Sequence, residues 1–124
     1  GEKDLADEVV RGIGEGAFAI PETRSITDLA RELASCRVVV GNCAGPKHVA
    51  LALGVPTVTI HGSSDPVSWT PAHPDHRFVR LEELHCIGCR SNDCPYNLEC
   101  MRQLPAERVL PVVEQLLMKL EAVK

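Results

Sequence analysis

No part of this sequence comes near the ~20 consecutive apolar residues that a membrane-spanning helix needs. Its charged opening, Gly1-Glu2-Lys3-Asp4, is not followed by the hydrophobic stretch of a signal peptide. The chain therefore reads as soluble and intracellular. A basic surplus is also missing: a formal net charge of −4 and a pI near 5.7 argue against a nucleic-acid or anionic-membrane face, which would need a positive side. Any anion must be bound locally. There is no internal repeat, no low-complexity tract, no P-loop, no Ser-His-Asp set and no pair of carboxylates placed for hydrolysis. His61, His73 and His76 follow no regular metal-ligand spacing. A second large domain is excluded by length, since 124 residues at 44% hydrophobic content suffice for one modest core.

What is present alternates between two periodicities. Leu5, Val9, Val10 and Ile13 share one helical face, and the glycines of Gly12-Ile13-Gly14-Glu15-Gly16 end that helix. Ala17-Phe18-Ala19-Ile20, stopped by Pro21, is a brief buried strand or the approach to a loop. Ser25 caps a second helix whose inner face carries Ile26, Leu29, Ala30 and Leu33. Arg37-Val38-Val39-Val40 has the consecutive β-branched pattern of a parallel strand covered on both faces, with Gly41 at its end. Pro46 to Leu53 reads as a short helix closed by Gly54, Pro56 to Ile60 as the next strand, and Phe78 to Leu81 as a last short one. Between these last two, residues 61–74 are rich in Gly, Ser, Pro and His and read as an ordered functional loop. A final helix at about 105–122 places Val109, Val112, Val113, Leu116, Leu117 and Leu120 inward, with Pro111 either at its first turn or kinking it. The expected fold is α/β, a Rossmann-like parallel sheet with flanking helices, lacking its first strand because the chain starts on a helix.

The segment Asn42-Cys43-Ala44-Gly45-Pro46-Lys47-His48 runs from a buried strand through small residues into a helix start. Proline at the first helical position leaves the N–H groups of Lys47 and His48 unpaired, while Ala44 and Gly45 let a phosphate approach the backbone. His48 adds a side-chain donor. A plain glycine-proline connection is the competing reading. The second loop, Gly62-Ser63-Ser64-Asp65-Pro66, follows the neighbouring strand, so two polar loops converge on one sheet edge, where ligands bind in open α/β sheets. Trp69, the single tryptophan, either walls that cleft or packs as a lid over the sheet.

The run Asn42 to Val58, followed by Gly62-Ser63-Ser64-Asp65-Pro66, resembles the donor-binding half of glycosyltransferase family 9, the lipopolysaccharide heptosyltransferases. The helix from Ser25 to Leu33 and the cysteine run ending in Cys100-Met101 fit the same pattern. The resemblance implies a GT-B architecture, of which residues 1–124 are most of the C-terminal nucleotide-sugar-binding domain. It implies transfer of a sugar from an ADP-heptose-like donor to a lipopolysaccharide-core glycolipid, with no cofactor required for catalysis. The acceptor site and the catalytic acid or base belong to an N-terminal domain outside this sequence, so no catalytic residue is assigned here and the chain alone is expected to be inactive. The setting implied is cytoplasmic, peripheral at the inner membrane. By the same match Ala44, Gly45 and His48 hold the diphosphate, Arg24 and Ser25 lie near the adenosine, and Glu2 near the ribose. Cys43 stands where the family usually has an aspartate facing the donor sugar, which leaves the sugar open and raises a second reading, an inactive nucleotide-sugar-binding domain.

Four of the six cysteines crowd into a segment at 85–101, with two, four and five residues between Cys86, Cys89, Cys94 and Cys100. Four thiolates can surround a structural zinc, and Gly88 suits the turn inside Cys86-x-x-Cys89. The second pair is not Cys-x-x-Cys, so the zinc-ribbon pattern is incomplete, and the spacing fits neither ferredoxin pattern. The alternatives are a structural zinc or thiol module and plain buried thiols pinning a loop.

Overall fold

The computed structural model describes residues 2–91 and 93–122. The side chain of Glu2, expected near a ribose, lies outside what is described.

The chain runs α1 (Glu2–Ile13), α2 (Ile26–Ala34), β1 (Val39–Asn42), α3 (Gly45–Ala52), β2 (Thr57–Ile60), α4 (Pro66–Trp69), β3 (His76–Val79), α5 (Glu99–Arg102) and α6 (Ala106–Ala122). The three strands form one parallel sheet in the order β1-β2-β3, flanked by helices. Sequential parallel strands need crossovers, and α3 provides the one between β1 and β2, packing on both. From the other end of the chain α6 packs on β2 and β3, while α2 packs on α3.

The core is small. Val58, Val79 and Leu116 are buried together, with Val38, Leu104, Val109, Val112, Val113 and Leu120 packed around them. Alternation along β2 aims Val58 at α6, and it turns Thr57 and Thr59 to the other side. All three are fully buried, as the central strand of three should be. Pro111 lies inside α6 rather than at its start, on an exposed turn where the helix tolerates the missing N–H.

Of the two readings of residues 17–20 the loop holds: Gly14 and Gly16, at φ +85° and +91°, turn the chain out, and Phe18 is 80% exposed. Three expectations are corrected. β1 begins two residues later than the apolar run suggested and carries Gly41 inside it, because pairing with β2 sets its limits: the Val39 N–H donates to the Pro56 carbonyl at 2.9 Å and the register runs on to Asn42 opposite Ile60. It is not covered on both faces, since Val40 is exposed. β3 likewise begins two residues early, at His76, opposite Thr57. The loop expected over 61–74 contains the helical turn α4, capped by Asp65, whose carboxylate accepts from the Val67 N–H at 3.1 Å and the Ser68 hydroxyl at 2.8 Å.

Candidate functional site

The carboxyl ends of β1 and β2 lie side by side, and the loops leaving them form two walls of a cleft of about 390 Å³. Asn42 and Cys43 come from the first strand end, and Ile60, Gly62, Ser63 and Ser64 from the second. The third wall is the strap at 85–101, which contributes Cys86, Cys89, Ser91, Asp93, Cys94 and Tyr96 among others.

The strap is fastened to the second loop through the backbone. Gly88 donates its N–H to the Gly62 carbonyl at 3.0 Å, and Arg90 donates to the Ser63 carbonyl at 2.7 Å. Gly62 also suits the packing of the strap's far end, since a Cβ there would lie 2.9 Å from both Cys100 Sγ and Met101 Sδ and force those side chains to shift. The Arg90 guanidinium adds a contact of 3.0 Å to Asp65. The Asp65 carboxyl is held below its ordinary value, first by the Ser68 hydroxyl and then by the Val67 N–H.

The first loop is less open to a ligand than expected. The N-cap of α3 is Ala44, extended at φ −143° and ψ 177°, and no side chain caps the helix. The helix begins at Gly45, one residue before Pro46. The Lys47 N–H is not free, because it donates to the Ala44 carbonyl at 3.1 Å. Its side chain turns inward: Lys47 is 3% exposed, its Nζ donates to the Trp69 carbonyl and lies 3.9 Å from Cys43 Sγ. Burial lowers its pKa, and the nearby Cys43 acts in the opposite direction. His48 is half-buried, its ring edge-on to Trp69 with centroids 5.7 Å apart. Ala44, Gly45, Pro46, Lys47 and His48 all lie outside the cleft lining. Ala44, Gly45 and Pro46 stay exposed, so the start of α3 is open beside the cleft rather than within it. Trp69, half-exposed against His48, does not line the cleft either.

Arg24 and Ser25 lie elsewhere. Arg24 is exposed, and Ser25 is the N-cap of α2, where its hydroxyl accepts from the Asp28 N–H at 3.1 Å.

Cys86, Cys89, Cys94 and Cys100 all line the cleft and all are free thiols. Burial and then the neighbouring Cys94, Cys86 and Cys89 push the Cys100 thiol up. Among the described residues no three His, Cys, Asp or Glu side chains gather as a group able to hold a metal ion. The Cys94 thiol instead accepts from the Leu98 N–H at 3.2 Å.

Two features escaped the sequence reading. His61 is fully buried, with Nδ1 2.7 Å from Ser64 Oγ and Nε2 2.7 Å from Thr70 Oγ1. Burial first, then Lys47 and Arg80, depress its pKa to about 4, so the ring is neutral across the physiological range. A histidine placed directly after a buried strand was the available signal. The strap's Ser91 and Tyr96 were also missed, because nothing in their spacing ties them to strand ends that lie far away in sequence. Among the described residues that line the cleft, Asp93 is the one charged side chain. An anion there would be held by hydroxyls, backbone N–H groups and the adjacent helix start rather than by side-chain cations.

The chain matches the family described as glycosyltransferase family 9 (heptosyltransferase) over residues 2–99. It is 26% identical over 123 residues to lipooligosaccharide heptosyltransferase 2 of Campylobacter jejuni serotype O:6, covering 93% of this chain and 38% of that protein. The protein of the same name from serotype O:2 is 25% identical over 120 residues, covering 94% of this chain and 38% of that protein. Lipopolysaccharide heptosyltransferase 1 of Pseudomonas aeruginosa is 30% identical over 95 residues, 77% of this chain and 26% of that protein. The chain thus spans 38% or less of the curated relatives it matches. No solved structure matches it.

Proposed function

The chain belongs to glycosyltransferase family 9, and from that premise we propose that it is the donor-binding part of a heptosyltransferase-type glycosyltransferase. In this reading residues 1–124 are most of the C-terminal domain of a GT-B fold. The donor is a nucleotide-diphosphate sugar resembling ADP-heptose. The acceptor is a glycolipid of the lipopolysaccharide core, bound with the catalytic acid or base by an N-terminal domain, in the cytoplasm against the inner membrane.

One observation carries the proposal: the loops that end adjacent parallel strands, Asn42-Cys43 and Gly62-Ser63-Ser64, line one cleft, the place where open α/β sheets take their ligands. The diphosphate sits between the Ser63 and Ser64 hydroxyls and the open start of α3. There the Gly45 N–H has no carbonyl of its own helix to reach, and the helix dipole favours negative charge. The sugar extends toward the strap. Displacement at the anomeric carbon releases the nucleoside diphosphate, and donors aimed at the bridging oxygens stabilise the charge that develops as the bond breaks. This chemistry asks for no metal.

Titration of the chain with ADP, UDP and GDP, followed by heteronuclear NMR, tests the reading. ADP is expected to shift the amides of Asn42, Cys43, Ser63 and Ser64; silence there with all three nucleotides refutes the donor site. Cys43, a half-buried thiol on the cleft wall, favours a second reading, a binding domain that has lost transfer activity. Cys43→Asp in the full-length protein separates the two. Measurable transfer by the wild-type protein that stays unchanged or falls in Cys43→Asp eliminates the inactive-domain reading.

A further inference from the structure

We propose that His61 is a positioning residue that fixes the direction of the Ser64 hydroxyl, turning its proton into the cleft toward the diphosphate of the donor. The inference rests on the reading of the cleft as the donor site and adds to it a buried device behind the binding surface.

His61 follows directly on Ile60, the last residue of β2, and is completely buried. A buried imidazole is costly unless both ring nitrogens find partners. Here both do, each at 2.7 Å, with Ser64 on Nδ1 and Thr70 on Nε2. A neutral imidazole has one donor nitrogen and one acceptor nitrogen, so the two hydroxyls cannot play the same role. Thr70 is 7% exposed, and among the described residues the ring is the one partner of its hydroxyl. A buried hydroxyl with a single partner satisfies its proton by donating it, which assigns the lone pair to Nε2 and the ring proton to Nδ1. Nδ1–H then donates to Ser64 Oγ. The Ser64 proton is left over, and Ser64 is the member of the set that lines the cleft.

The directionality depends on the ring staying neutral, since an imidazolium would donate from both nitrogens. Its surroundings enforce this. Burial acts first, Lys47 reaches in from α3 and Arg80 from the end of β3, and Asp65 alone opposes them. The relay itself runs from Thr70 through His61 to Ser64, and so to the cleft. A serine whose proton is already aimed loses less freedom when the ligand arrives.

Nitrogen-15 NMR of the imidazole, together with a double-mutant cycle on the whole chain, tests this. The free protein at neutral pH is expected to show His61 as the Nδ1–H tautomer. ADP affinity is expected to fall about five- to tenfold in Ser64→Ala and by a similar factor in His61→Phe, the loss of one hydrogen bond. The double variant should be no weaker than either single one, because the two act as a unit. An Nε2–H tautomer, independent multiplying losses, or wild-type affinity in His61→Phe overturns the proposal. If His61→Phe does not fold, the tautomer of the wild-type ring decides alone. Absence of ADP binding by the wild-type chain is a different failure, that of the donor-site reading. Normal wild-type binding with unaffected variants removes only this inference.

Discussion

His61 and Lys47 are both buried polar residues, and they make opposite claims on pH and on ligand. For His61 the folded pKa of about 4 lies below the unfolded 6.5. Between those values the unfolded chain takes up a proton that the folded chain refuses, so stability is complete above about pH 6.5 and drains away as pH falls toward 4. The loss is expected to reach roughly 2–3 kcal/mol, read from urea midpoints between pH 4 and 7. His76, lowered mainly by burial, acts in the same direction. His61→Phe should therefore flatten the profile without abolishing it, and an unchanged slope would contradict the assignment. Lys47 bears on the ligand. Its ammonium is committed to Trp69 inside the protein, so Lys47→Met is expected to change ADP affinity by less than about twofold, whereas removal of a real charge-assisted phosphate contact costs about tenfold or more. Calorimetric titration of the two proteins distinguishes these outcomes. The inward turn of Lys47 could not be read from the sequence, where a lysine in a helix's first turn beside glycine and proline looks like a phosphate ligand.

Among the elements, the strap is the one whose role changed most. As a sequence it is a cysteine cluster inviting a metal; in the fold it is a wall of the cleft, tied down by Gly88 and Arg90 to the second loop. Its conformation is held at some cost. Arg90, Asn97 and Leu98 lie at φ 60°, 56° and 54°, and these are the positive-φ non-glycine residues among those described. Gly62→Ala drives a Cβ into Cys100 and Met101 at 2.9 Å. It is expected to cost about 1–2 kcal/mol of stability as the strap lifts. Faster reaction of Cys100 with a disulfide reagent under native conditions should accompany that loss, and thiol kinetics identical to wild type would show that the strap does not rest on Gly62. The strands illustrate the converse limit. Their existence was legible from β-branched runs between helices, but their ends were not. Hydrogen bonding across the sheet brings Gly41 and Asn42 into β1, and no single-strand pattern contains that information.

For the molecule as a whole, the small core and uneven cover are decisive. Val58, Val79 and Leu116 centre the packing, whereas α1 makes no extensive contact with another element and leaves Leu5, Val9 and Ile13 61%, 53% and 66% exposed. Its helical spacing was correctly read, yet of the four apolar residues on that face only Val10 is half-buried. Native-state hydrogen exchange is expected to find the amides of β2 and the middle of α6 the slowest in the chain and those of α1 close to unprotected. Protection of α1 equal to that of β2 would mean that the helix has a partner. In the full-length protein, where the relatives extend well beyond the span matched here, α1 is expected to gain protection.

The sequence by itself determined the α/β class, the order of the principal helices and strands, the family, and the convergence of the Asn42 and Ser63 loops on one edge. These follow from local periodicity, from capping and turn residues, and from motifs spaced along the chain. Tertiary structure alone decided which of those residues face the cleft. It turned Lys47 inward, set His48 against Trp69, and brought the strap and His61 to the back and side of Ser64. Burial and hydrogen-bond satisfaction are settled between segments distant in sequence, and a residue's type does not say which partner the fold will place beside it.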